Sequence, residues 1–234
     1  MLDRARIWIA DYAYAARVNV GATLRHRRVP KARGDKAPVL LIPGVYERWQ
    51  FMRAVGGRLA KRGYAVHVVE PLGRNLSSIP DAAQMAQDYL DENDLRGVVV
   101  VAHSKGGLIA KHMMSFDDPT GRIRGLVAIA TPFSGSSLAR YAPTAPLRAF
   151  VPTETTLALL TQQAEANSHI VSIYPDFDPY IPGGSHLEGA HNIQLPVDGH
   201  FRLLADPHVL DAVVEAVESG FPAGSQQAAP NSPE

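Results

Sequence analysis

The residues best suited to chemistry in this chain gather around one serine. In Ala102-His103-Ser104-Lys105-Gly106 the serine has a small residue two before it and two after it, a variant of G-x-S-x-G with alanine in the first position. A corner that lifts a hydroxyl to its tip is so sharp that larger side chains at those two positions would collide. Val98 to Ala102, on the near side, is a β-branched apolar run, and "GLIAKH" on the far side begins a helix. The strand–turn–helix context that this motif requires is therefore present. Ser104 Oγ would stand at a helix N-terminus, where unpaired N–H groups and the helix dipole favour developing negative charge. The pattern predicts a nucleophile rather than an ordinary capping serine.

A serine hydroxyl is a weak nucleophile and needs a neighbouring base. Nine histidines are available, and the rule that open α/β sheets build their sites at the carboxyl ends of strands sorts them. His67 lies mid-strand, His112 and His208 lie along helices, His169 precedes a strand, and His26 sits in a basic N-terminal stretch. His186 and His191 fall between elements, with no third ligand at a spacing that suggests zinc. His103 flanks the corner and reads as a packing residue. His200, in "LPVDGHFRLL", follows the last expected strand after a flexible glycine, and it is the candidate base. For the acid that orients the imidazole, Asp176 and Asp178 both follow "HIVSIY" at the correct edge. Asp117 and Asp118 precede a strand, and Asp198 is too close to His200 in sequence to orient its ring. Glu70 also follows a strand, so position alone leaves Asp176, Asp178 and Glu70 open.

The elements that must hold these groups alternate along the chain. Strands are expected at "APVLLIPG", "YAVHVVEP", "GVVVVA", "GLVAIATP", "HIVSIYP" and "NIQLP", the first being a short apolar run of the kind covered on both faces. Helices are expected at "FMRAVGGRLAKRG", ended by Gly63, at "DAAQMAQDYLDEND", with Asp81 as its cap, at "GLIAKHMMSF" and at "DPHVLDAVVEAVES". This rhythm predicts a mostly parallel, doubly wound sheet with helices on both faces, joined by right-handed βαβ units. Residues 137–166 interrupt it. That segment carries Leu138, Tyr141, Leu147, Phe150, Val151, Leu157, Leu159 and Leu160, which suit either a small cap with an apolar groove or a crossover packed on the sheet.

At 234 residues, with 46% of them apolar, the chain fits one domain, expected over 37–219. The last segment, 220–234, is rich in Ala, Pro, Ser and Gln and is expected to be disordered. There is no cysteine, which excludes disulfides, thiolate metal sites and thiol nucleophiles. The formal net charge is zero and gives a nucleic-acid partner no support. No apolar run is long enough to span a bilayer, and the N-terminus lacks the pattern of a secretory signal, so a cytoplasmic protein is expected. Residues 1–36 nevertheless hold nine Arg or Lys against three Asp, with Trp8, Tyr12 and Tyr14 among them. They suit a helix docked on the domain with its arginines in water, or one in peripheral contact with an anionic membrane.

Taken together, "LLIPG", "AHSKGG", "ATPFSGS", "DPYIP" and "DGH", in that order from Pro38 to Val217, resemble the α/β-hydrolases, and most closely their bacterial lipase and esterase branch. The resemblance implies the α/β-hydrolase fold, ester hydrolysis and a serine–acid–histidine order. "DPYIP" is similar to the family's acid turn and favours Asp178 over Asp176, while Gly199-His200 matches the family's Gly-His motif. The same resemblance implies an oxyanion hole made by the backbone N–H groups of Lys105 and Val45, with Pro43-Gly44 where the family usually has His-Gly. The Lys105 side chain itself is expected to reach solvent. The expected activity is cleavage of carboxylic esters, small molecules or lipids, with an apolar acyl group, without a cofactor or metal. Thioester cleavage or acyl transfer would use the same three residues, and a non-catalytic binding scaffold would be expected to lack one of them.

Overall fold

In the computed structural model, which describes residues 2–24, 33–219 and 221, six strands form one parallel sheet. The strands are β1 (Lys36–Ile42), β2 (Tyr64–Val68), β3 (Val98–His103), β4 (Ile123–Ile129), β5 (Ile170–Phe177) and β6 (His191–Asp198), in the order β2-β1-β3-β4-β5-β6. The helices are α1 (Leu2–Leu24), α2 (Arg53–Ala60), α3 (Ile79–Glu92), α4 (Lys105–His112), α5 (Ala145–Arg148), α6 (Thr155–Gln162) and α7 (Pro207–Ser219).

The apolar strand runs follow from burial on both faces. Along β1 and β3, Leu40, Ile42, Val98, Val100 and Ala102 point to one side, where α3, α4 and α6 cover them. Val39, Leu41, Val99 and Val101 point to the other, beneath α2 and α7. Side chains alternate with a period of two in a strand, so a continuous valine run feeds two cores at once. Each such side chain contributes roughly 1.5–3 kcal/mol when fully buried.

The order places a reversal between β1 and β3. The chain winds outward from β1 to β2, returns to β3 beside β1, and then winds the other way. A crevice at the carboxyl ends of the strands belongs at such a reversal, and the loop after β1 and the corner after β3 meet there.

Two local readings need correction. Helix α3 is capped by Ser78, not by Asp81: Ser78 Oγ accepts the Asp81 N–H at 3.2 Å and donates to Asp81 Oδ2 at 2.6 Å. Asp81 is thus the far half of a reciprocal cap, and Pro80 sits in the first turn, where no N–H is needed. The helix after the serine is also shorter than its pattern, because α4 passes at Met113–Asp117 into a π-helical turn.

The segment after β4 divides between the two roles its sequence allows. Leu157 and Leu160 of α6 are buried in the sheet core, while Leu138, Tyr141 and Leu159 are exposed. Helix α1 packs against the turns at Trp49–Met52 and Arg202–Ala205. Among its neighbours in sequence, Arg25, Arg27, Arg28 and Lys31 lie outside the described residues, as does the expected disorder of 220–234 apart from Phe221.

Candidate active site

Ser104 forms the corner between β3 and α4, with φ 51° and ψ −120°. A non-glycine residue with positive φ stores roughly 1–3 kcal/mol of strain, which the surroundings must hold in place. Here the Ser104 N–H donates to Ile129 O at 2.9 Å, tying the corner to β4. The residue two after it must be small for a specific reason. A Cβ on Gly106 would lie 2.3 Å from the carbonyl oxygen of Ile42, so α4 presses directly against the end of β1.

His200, in the turn after β6, and Asp178, just beyond β5, come to the same corner. His200 Nε2 lies 3.0 Å from Ser104 Oγ, and His200 Nδ1 lies 2.7 Å from Asp178 Oδ2. All three side chains are buried. Asp178 Oδ1 accepts the N–H groups of Tyr180 and Ile181 at 2.8 and 3.1 Å, which fixes the carboxylate. Asp176, an alternative from position alone, lies within β5 with its side chain exposed. Burial alone would push the His200 pKa down. The charge of Asp178 and its hydrogen bond outweigh that, with Glu47 and Asp11 adding to them, so the pKa lies above the ordinary value.

Val45 lies in the loop after β1 and lines the cavity in front of Ser104. Lys105 is the first residue of α4, where backbone N–H groups have no intrahelical acceptor. The Lys105 side chain does not reach solvent. It is buried, donating from Nζ to Asn75 O at 3.0 Å and to Ser77 O, and burial pushes its ammonium down to about 8. Asn75 Nδ2 in turn donates to Pro43 O at 2.7 Å. A side chain from the serine corner thereby braces, through Asn75, the loop that carries Val45.

Three further residues belong to the site, and local motifs did not reveal them. Glu47 is buried and accepts the Gly44 N–H at 2.8 Å, closing the loop after β1. Its two oxygens lie 2.8 and 3.0 Å from His103 Nδ1. His103 Nε2 in turn lies 2.9 Å from the carbonyl oxygen of His200. His103 is therefore more than packing: it joins the loop after β1 to the turn that carries His200. Asp11, from α1, is also fully buried and accepts the N–H of His200 at 3.1 Å. The signals were present but not local. Glu47 is the one acid in "IPGVYERW", at a strand's carboxyl end, and Asp11 is the one acid in the apolar, aromatic stretch "IWIADYAYAA".

In front of Ser104 and His200 is a cavity of about 380 Å³. Leu138, Leu147 and Phe150 of the segment after β4 form one wall, Trp8 and Tyr12 of α1 another, and Tyr180, Ile181 and Phe201 flank His200. The arrangement can bind an apolar group beside an activated hydroxyl. Among the described residues no three His, Asp or Glu side chains come together to hold a metal ion, and no helix is long and apolar enough to cross a membrane.

A family model described as a PGAP1-like alpha/beta domain matches residues 64–174. Among solved structures, the mature lipase BlEst2 of Bacillus licheniformis is similar at 13% identity and a TM-score of 0.62, over 82% of this chain and 94% of that one. Lipase B of Aspergillus fumigatus is similar at 16% identity and a TM-score of 0.66, over 83% of this chain and 55% of that one. A structure from work on the metagenome-derived lipolytic enzymes LipS and LipT aligns at 17% identity and a TM-score of 0.57, over 82% of this chain and 98% of that one. No curated protein matches the sequence significantly. At these identities the likeness is one of fold, and it agrees with the strand order, the serine corner and the flanking helices described above: the chain has the fold of the α/β-hydrolase superfamily.

Proposed function

We propose that this protein is a serine hydrolase that cleaves carboxylic esters with an apolar acyl group. The observation that carries the reading is the relay from Ser104 Oγ through His200 to Asp178, with contacts of 3.0 and 2.7 Å, at the floor of an apolar cavity. Ser104 Oγ attacks the ester carbonyl carbon while His200 Nε2 takes the hydroxyl proton. Negative charge gathers on the former carbonyl oxygen, where the N–H groups of Val45 and Lys105 receive it. The C–O bond to the alcohol breaks, and His200 returns the proton to that oxygen. Water then repeats the sequence on the acyl-serine, releasing the acid and restoring Ser104. Asp178 keeps the imidazole in the tautomer with hydrogen on Nδ1 and stabilises it once charged.

The test is hydrolysis of chromogenic esters from acetyl to long acyl chains, with the matching thioesters alongside and with added alcohol to reveal transfer. The native protein is expected to turn over the esters, with a preference set by the acyl chain. Ser104→Ala is expected to lower kcat by about 10⁶-fold with the fold retained. Equal turnover by native protein and variant would remove the proposal.

A further inference from the structure

Asp11 lies 189 residues from His200 in sequence, yet its carboxylate takes three consecutive N–H groups of the turn that carries that imidazole. Oδ2 accepts from His200 at 3.1 Å, and Oδ1 accepts from Phe201 and Arg202, each at 2.9 Å. The carboxylate is wholly buried. A carboxylate in such a place is costly unless its oxygens are met by donors, and here the donors are the backbone of the turn itself. Gly199 supplies a second, independent sign of the fit. Its φ is 102°, and a Cβ there would lie 2.8 Å from Asp11 Oδ1 and 3.0 Å from the Arg202 side chain, so the turn closes tightly on the Asp11 carboxylate.

The same stretch of α1 carries Trp8 and Tyr12, one turn before Asp11 and one residue after it, and both line the cavity in front of Ser104. Trp8 packs against Tyr180 with ring centroids 4.7 Å apart, and Tyr180 packs against the His200 ring at 5.3 Å. Helix α1 therefore reaches the imidazole by two routes, through its backbone and through its ring neighbours.

We propose that α1 is a working part of the active site: Asp11 is a positioning residue that fixes the His200 turn, while Trp8 and Tyr12 form the substrate-facing wall of the acyl cavity. The assignment rests on the hydrolase reading given above. Asp11 touches neither the substrate nor the reacting atoms, and it acts by setting the distance between His200 Nε2 and Ser104 Oγ. A displacement of about 1 Å at such a contact costs on the order of a hundredfold in rate.

The experiment measures ester hydrolysis, fluorophosphonate labelling of Ser104, and the exchange with water of the His200 Nδ1 proton in proton NMR. Asp11→Ala is expected to slow labelling by about a hundredfold. Asp11→Asn keeps the shape and one acceptor oxygen but turns an amide NH₂ toward a backbone N–H. It is expected to slow labelling by about tenfold, to lower kcat more than it raises KM, and to speed exchange of the ring proton. Trp8→Ala is expected to show the opposite split, raising KM for long-chain esters more than it lowers kcat. Labelling, kcat and exchange in Asp11→Asn equal to those of the native protein would overturn the proposal, whatever its melting temperature. A native protein that takes no label would overturn the hydrolase reading instead. The ring-proton exchange would then still decide whether Asp11 holds the His200 turn.

Discussion

Two buried carboxylate–imidazole pairs stand side by side in this molecule, their rings 4.8 Å apart, and only one of them has a hydroxyl on the far side of its ring. In the Asp178–His200 pair the second ring nitrogen faces the Ser104 hydroxyl, a group that can donate. In the Glu47–His103 pair the second nitrogen faces a carbonyl oxygen, which can only accept. His103 therefore has an oxygen acceptor on each side of its ring and no proton donor to face, whereas His200 has a hydroxyl donor on its far side. The same two residue types, both buried, give the proposed base in one place and a brace in the other. What differs is the partner on the far side of the ring.

The largest expected effect falls on the first pair. Asp178→Asn leaves the volume unchanged but can turn the imidazole to the wrong tautomer, and kcat for ester hydrolysis is expected to fall by about 10⁴-fold while the melting temperature changes little. Glu47→Gln probes the second pair. The amide NH₂ must replace a carboxylate oxygen facing either His103 or the Gly44 N–H, so one buried contact of the carboxylate is lost. The expected cost is about 1–3 kcal/mol in stability by denaturant unfolding, with kcat reduced by no more than about tenfold. A loss in kcat matching that of Asp178→Asn would break the comparison, because it would place Glu47 in the proton path. The smallest effect is in the pH profile. His200 must be neutral to accept the serine proton, and its pKa is held above the ordinary value against the opposing effect of burial. The acid limb of kcat/KM is therefore expected above the pH at which a free imidazole titrates, and Glu47→Gln, by removing one of the supporting charges, should move that limb to lower pH.

The contrast between the pairs also marks what the sequence could disclose. Ser104 is legible because its corner constrains neighbours two residues away, and a tight backbone leaves a local imprint. The central strands are legible because apolar runs buried on both faces recur in β1, β3 and β4. His200 and Asp178 could be placed at the right edge by position, but choosing Asp178 over Asp176 needed the family resemblance. Asp176 is turned outward by the alternation within β5, a detail that depends on where the strand ends. Glu47, His103 and Asp11 leave no local imprint, because the contacts that join them to the site reach segments far away in sequence. The Lys105 side chain misled for a related reason. In the first turn of a helix a lysine ordinarily reaches water, and only the approach of Asn75 and Ser77 supplies carbonyl acceptors inside.

The distance in sequence between Asp11 and the turn it holds has a consequence for biosynthesis. A contact spanning 189 residues closes only after His200 itself has been made, and such long-range closures come late and slowly in folding. A nascent chain that has emerged only as far as β5 carries the nucleophile but neither its base nor the partner for Asp11. On the proposed hydrolase reading, the competence to form an acyl-enzyme is withheld until His200 has emerged, so a product cut short before that residue is inert by construction.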